Sequence, residues 1–251
     1  MFEQLGKIKD AWTESEIILL VNPIEEANTI KEKVSFVIPA NKLNLKTFRK
    51  IKRDASGPIS VVLSYDLCKT LELPFIRSIY QAISSRYPLI DQFMKAEKSN
   101  DKITTSAYSI SMDSIDTEFG STDLDITTSI TKIGEIVDQY YHHELLQKEF
   151  VKVFRKSFKI PGHVQILRSS LNLLKSRITI AELSLALCEI SKYPLAAVIC
   201  DMIDSRTGSY LNTQMAEKYA EKNRIPIIKT KTIIDLWRSI LKIQKDQIAT
   251  Y

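Results

Sequence analysis

The chain has 251 residues, 44% hydrophobic and 26% charged, with a formal net charge of +5. That is enough apolar side chain for a real core; the lack of any uncharged apolar run of about 18 residues excludes a membrane-spanning helix, and lysines that mostly neighbour acids, as in IKEKV and AEKYAEKNR, argue against a nucleic-acid stripe and for a solvated surface. Only 6 glycines and no G-x-G-x-x-G or Walker pattern argue against a phosphate-cradling nucleotide loop. The N-terminus shows neither a signal core nor a cleavage site, so the expected location is cytoplasmic.

In chain order, residues 1–14 carry Phe2, Leu5, Ile8 and Trp12 at helical spacing. Residues 16–22 form a short apolar run that reads as a buried strand ended by Pro23, and 24–33 are polar and ambiguous. Residues 34–40 read as a second strand ending at Pro39, and 41–54 as a helix with an asparagine start. Gly57-Pro58 reads as a turn, 59–64 as a β-branched strand, and 65–73 as a helix closed by Pro74. Residues 95–105 are polar and read as a surface loop. Residues 107–113 alternate as a half-buried strand does, and 114–125 are a loop rich in Asp, Ser and Thr. A helix over 126–141 follows, with N-caps available in the preceding run, and 144–157 continues at helical spacing. Strands are expected at 164–168, 195–203 and 225–230, and helices at 178–191, 212–223 and 232–244. Strands and helices alternate without strict order. This predicts a single α/β (α+β) domain over residues 1–251, a mixed sheet flanked by helices. Cys68, Cys188 and Cys200 are widely spaced without C-x-x-C and are expected to be buried hydrophobes.

Five segments carry a resemblance. PGHVQILR (161–168) looks like a P-G-H-V-x-x-L-R motif, and AVICDM (197–202) like a strand ending V-I-C-E-M. MAEKYAEKNRIPII (215–228), DASGPISVVLSYDLCKTLELPFI (54–76) and AYSISMDSIDTEFGSTDLDITTSI (107–130) also match, in order. Together, over about residues 16–236, the chain resembles the 3,4-dihydroxy-2-butanone 4-phosphate synthase family of riboflavin biosynthesis. The resemblance implies a mixed α/β fold, a homodimer with sites near its interface, and a lyase. That lyase uses Mg²⁺ to convert ribulose 5-phosphate to the four-carbon ketone phosphate and formate. Such chemistry needs a cation on the substrate oxygens, groups that shuttle protons and anchors for a phosphate.

The resemblance places the family's catalytic histidine at His163 and its catalytic glutamate at Asp201, a carboxylate one methylene shorter. It places substrate-binding positions at Arg177, Glu182, Thr122 and Asp125. It also implies losses. The family's metal-binding histidine falls on Ile180 and its neighbouring threonine on Ala181, while a threonine and an arginine become Phe119 and Ile126. The family's acidic loop lies over 22–33, where there is no arginine and only Glu25 or Glu26 could stand in; Asp113 is a further substitute ligand. Magnesium wants oxygen-rich octahedral coordination, so metal is expected to bind poorly or not at all.

Several residues keep two readings. His163 could be a proton shuttle, or a ring bonded to a backbone group of a Pro-Gly turn; Asp201 could cap the turn 204–209, and Arg177 could be a solvated helix start. Asp123 and Asp125 suit turn and N-cap roles, Arg168 a structural ion pair, and the adjacent His142 and His143 a solvated helix face. The stripe Ile233, Trp237, Ile240, Leu241 suits core or dimer contact. The expected function is a family member with metal-dependent activity weakened or lost. The alternatives are a non-catalytic paralogue binding a sugar phosphate or a sister subunit, and a metal-independent enzyme using His163 and Asp201.

Overall fold

A computed structural model describes residues 2–26, 29–97 and 107–248. In chain order the elements are α1 (Phe2–Thr13), β1 (Ile18–Glu26), β2 (Thr29–Pro39), α2 (Leu45–Ala55), β3 (Ser56–Leu63), α3 (Tyr65–Thr70), α4 (Ile76–Ile83) and α5 (Pro88–Glu97). They continue with β4 (Tyr108–Ser114), α6 (Asp123–Tyr141), α7 (Gln147–Ser157), β5 (Phe158–Arg168), α8 (Ile180–Ser191), β6 (Ala196–Met202), α9 (Thr213–Asn223), β7 (Ile227–Lys229) and α10 (Thr230–Ile248).

The seven strands form one sheet in the order β4-β5-β3-β6-β2-β1-β7. β3/β5 and β1/β7 run parallel and the other neighbours antiparallel, so the sheet is mixed as expected. Its centre must be covered on both sides, because Ala196 to Cys200 of β6 are all buried although successive side chains point to opposite faces. α8 packs with α10 and α1 against the sheet, and α2 with α6 forms a second group against it. The three cysteines are free and buried. Burial pushes the Cys68 and Cys200 thiols up to about 12, so neither offers a thiolate. Ile233 and Trp237 lie in the core and Ile240 packs against it; the side chain of Leu241 is outside the described residues.

Several boundaries differ from expectation. β1 does not end at Pro23 but pairs with β2 through Glu26, in an antiparallel hairpin with Pro23 opposite Glu32. Proline is tolerated there because β7 covers β1 only from Leu19 to Val21, so β1 is an edge strand beyond that point. Gly57 and Pro58 lie inside β3, at a register irregularity between Ser56 and Ile59, instead of in a turn. The helix expected from 41 is a 3₁₀ turn followed by α2, capped by Asn44, whose side chain accepts from Thr47 N at 2.9 Å. Residues 76–97 hold two helices that the apolar pattern does not reveal, and no residue of α4 is buried. Residues 95–97 therefore close a helix, and the rest of the loop expected there falls outside the described residues. The helical run 126–157 breaks after Tyr141, leaving His142 and His143 exposed at the break.

α7 is held to α6 by aromatic stacking: the Phe150 and Tyr140 ring centroids lie 4.2 Å apart with 14° between planes, and Phe150 is fully buried. Phe150→Ala is expected to lower unfolding free energy by about 3–5 kcal/mol, read as a drop in urea midpoint at unchanged slope.

Candidate functional site

The P-G-H segment does not form a turn. β5 runs through it, and opposite β4 the register jumps from Met112↔Val164 to Asp113↔Lys159. Residues 160–163 are therefore looped out of β5 as a bulge, with a cis peptide at Ile160–Pro161. Bulges re-aim side chains, and this one turns His163 onto Asp113 of the facing strand. Asp113 Oδ1 accepts from His163 N at 2.7 Å, and Oδ2 lies 2.7 Å from ring Nδ1. The contact requires β4 to pass very close: a Cβ on Gly162 would fall 2.1 Å from Met112 C and 2.3 Å from Asp113 N. Asp113 Oδ2 is placed to accept a proton carried by Nδ1, the tautomer in which a neutral imidazole has its lone pair on Nε2. Asp113 is almost fully buried, whereas the imidazole side chain is 49% exposed. This is an oriented His–Asp pair open to solvent, a geometry able to move a proton, and the partner of the His163 ring is a carboxylate instead of a backbone group.

A second close approach closes the dyad from above. Gly120 has φ +78, and a Cβ there would lie 2.2 Å from Asp113 Oδ2 and 2.7 Å from His163 Nδ1. Only glycine suits both that backbone and that space. Thr122 caps α6 by accepting from Asp125 N at 3.1 Å, and Asp125 reaches back to accept from Gly120 N at 3.1 Å. Thr122 and Asp125 thus brace the loop that roofs His163. Asp123 pairs with Lys52 and Arg49.

Asp201 lies two strands from His163. Gln165↔Ser60 on one side of β3 and Cys200↔Ile59 on the other put both residues level with the start of β3. They are separated by roughly 10 Å of sheet. Asp201 does not cap the following turn, a job taken by Asp204, whose side chain accepts from Arg206 N. Instead Ser35, directly opposite on β2, donates to Oδ1 at 2.7 Å, and Lys33 Nζ lies 2.7 Å from Oδ2. Both side chains of the pair are less than a fifth exposed. Burial works against the Lys33 ammonium, but Asp201 and Tyr210 outweigh it and hold the Lys33 pKa above the ordinary lysine value.

Arg177 and Glu182 are not in this neighbourhood. Glu182 is fully buried and accepts from Ser170 N at 2.8 Å and Arg177 Nη2 at 2.8 Å; the Thr179 hydroxyl donates to its other oxygen. Ser169 N bonds Leu63 O, at the far end of β3. From His163 to that end is on the order of 20 Å along β5. Arg177 spends its charge on Glu182 instead of standing as a solvated helix start. Ile180 is partly buried against the core. Arg168 forms no ion pair among the described residues; it donates to Leu73 O and packs on the Phe75 ring.

Among the described residues the donor set does not suit magnesium. No group of three or more His, Cys, Asp or Glu side chains converges among the described residues. Asp201 is taken by Lys33 and Ser35, Asp113 by His163, and Glu182 by three donors. The side chains of Glu25 and Glu26 lie outside the described residues. A cleft of about 720 Å³ between α1 and α9, lined by Lys7, Glu16, Lys50 and Arg224 among others, is bordered by neither His163 nor Asp201.

Sequence comparison agrees with the resemblance. Residues 7–236 match the sequence model of the family described as 3,4-dihydroxy-2-butanone 4-phosphate synthase. Among curated proteins bearing that name, one from Archaeoglobus fulgidus is 31% identical over 207 residues, 82% of this chain and 84% of the relative. One from Methanothermobacter thermautotrophicus is 28% identical over 220 residues, 88% and 90%. The fold matches a solved synthase of Candida albicans with TM-score 0.64 at 18% identity, covering 92% of this chain and 95% of that one. It also matches one solved in complex with two magnesium ions, at TM-score 0.65 and 16% identity over 92% and 94%.

The Glu182 cluster yields a stability test. Burial pushes its carboxyl up, but the Arg177, Thr179 and Ser170 hydrogen bonds prevail and hold its pKa below the ordinary 4.5. Its contribution is therefore complete above that value and lost as pH falls through the depressed folded-state pKa. Glu182→Gln is expected to cost about 3 kcal/mol at pH 7. The gap to wild type should narrow in urea titrations taken progressively below pH 4.5; a constant gap would assign the loss to packing alone.

Proposed function

Because this chain belongs to the 3,4-dihydroxy-2-butanone 4-phosphate synthase family, we propose that it binds a sugar phosphate of the ribulose 5-phosphate kind while its metal-dependent lyase activity is weakened or lost. The observation that carries the reading is the Asp201 carboxylate, with one oxygen engaged by Lys33 and the other by Ser35, where the family's catalytic glutamate falls. Ile180, in place of the imidazole ligand, supports it. Magnesium, where a family member binds it, supplies positive charge to the substrate oxygens; the described side chains here do not converge to hold it. What remains is proton handling. His163 Nε2, with Asp113 fixing its tautomer, is able to take a proton beside a carbonyl, and the Gly120 loop narrows access to it. Arg177 and Glu182 are a structural pair in this reading.

A homodimer belongs to the proposal. Phe119, Ile160 and Leu124 flank the dyad and are each more than half exposed. A second copy of the chain seated there would cover apolar surface and enclose His163. A cytoplasmic setting fits three free, buried cysteines. No helix among the described residues is long and apolar enough to cross a membrane.

Purified protein incubated with ribulose 5-phosphate and Mg²⁺ is expected to release formate at least about 100-fold more slowly than the Archaeoglobus fulgidus relative. Robust Mg²⁺-dependent release would sink the reading. Light scattering should show a dimer that Phe119→Asp shifts toward monomer; a wild-type monomer would remove that part.

A further inference from the structure

We propose that Lys33 is the resident cation of this site: its ammonium, fixed on Asp201, binds an oxygen of the sugar phosphate directly, so that ligand binding needs no divalent ion. The inference rests on the sugar-phosphate reading above and adds the group that does the binding.

Four observations support it. The ammonium is not a stray surface charge, because β2 pairs residue by residue with β6 and places Ser35 opposite Asp201; Lys33, two residues along, falls on the same face of β2 as Ser35. It is held from two sides, by Asp201 Oδ2 at 2.7 Å and by the Tyr210 ring, whose centroid lies 4.9 Å from Nζ. It keeps access to solvent, with 18% of the side chain exposed, and an ammonium carries three N–H donors, of which Asp201 and Tyr210 engage two and leave one for a ligand oxygen. Finally, it stands on the same sheet end as His163: β2 lies three strand spacings from β5, and the ammonium reaches back to Asp201 on β6, two spacings or roughly 10 Å from β5. One ligand of four or five carbons is long enough to reach both groups.

The position also explains why a divalent ion would be poorly accommodated. A metal at Asp201 would have to displace an ammonium already bonded there, and no group of three or more His, Cys, Asp or Glu side chains converges among the described residues to coordinate it. Serine at 35 holds the remaining oxygen of Asp201 and fixes the carboxylate toward Lys33.

The test is calorimetric titration of ribulose 5-phosphate into the full chain, in excess EDTA and again in millimolar MgCl₂. Wild type is expected to bind equally in both. Lys33→Met, which keeps the aliphatic stem, should weaken binding by about 10-fold or more, and Lys33→Arg should restore most of it; melting curves of both variants establish that they fold. Electron paramagnetic resonance with Mn²⁺ should show no stoichiometric bound ion in wild type. Binding that requires Mg²⁺, no binding under either condition, a bound Mn²⁺, or a folded Lys33→Met that binds as wild type would each overturn the assignment. Failure of this inference differs from failure of the functional reading: formate released in EDTA and abolished by Lys33→Met would refute lost catalysis while supporting Lys33 as the working cation.

Discussion

The central constraint is that β6 has no room for an unpaired charge. From Ala196 to Cys200 the strand is buried between helices on both sides, and its first carboxylate is Asp201, at its end. A carboxylate so placed must find a partner or lose its charge. The neighbouring strand answers with two, a lysine and a serine two positions apart on one face of β2. The positive charge at this end of the sheet is thus written into strand pairing.

The same sheet divides the remaining polar groups. At one end, β4 and β5 pair out of register and the surplus residues of β5 swing His163 onto Asp113. At the other, Glu182 gathers Arg177, Thr179 and Ser170 into a buried knot that ties the start of α8 to the chain leaving β5. One cluster faces solvent through an imidazole, and the other faces inward with every carboxylate oxygen engaged. The first leaves an imidazole open to solvent; the second holds a loop.

Much of this was legible in the sequence, for identifiable reasons. The β-branched and apolar runs around Leu19, Phe36, Val62 and Val198 are strands because each is buried on a two-sided sheet, which leaves a continuous apolar signal. Where a side chain is only half committed, the signal fails. α4 has no buried residue, so its periodicity did not stand out, and the β1–β2 hairpin continues through Pro23 and a row of charges because an edge strand has no need of apolar side chains. His163 was found by motif, but a Pro-Gly pair reads locally as a turn, and only the pairing with β4 shows that it is a bulge. Asp113 was seen as a spare acid; its role as orienter depends on a contact across 50 residues of chain. Lys33 is hidden because the two lysines of IKEK both look solvated until β6 is laid beside them.

A charge that belongs to the polypeptide has a different inventory from one that is borrowed. Its occupancy is set at synthesis, one per chain, and does not vary with the supply of free ions or with competitors that scavenge them. Its position is equally inflexible, since an amine on a four-carbon tether anchored at 2.7 Å cannot migrate along a substrate or rearrange its coordination sphere as a hydrated ion does. Lys33 therefore exchanges the adaptability of a mobile centre for constancy across ionic conditions.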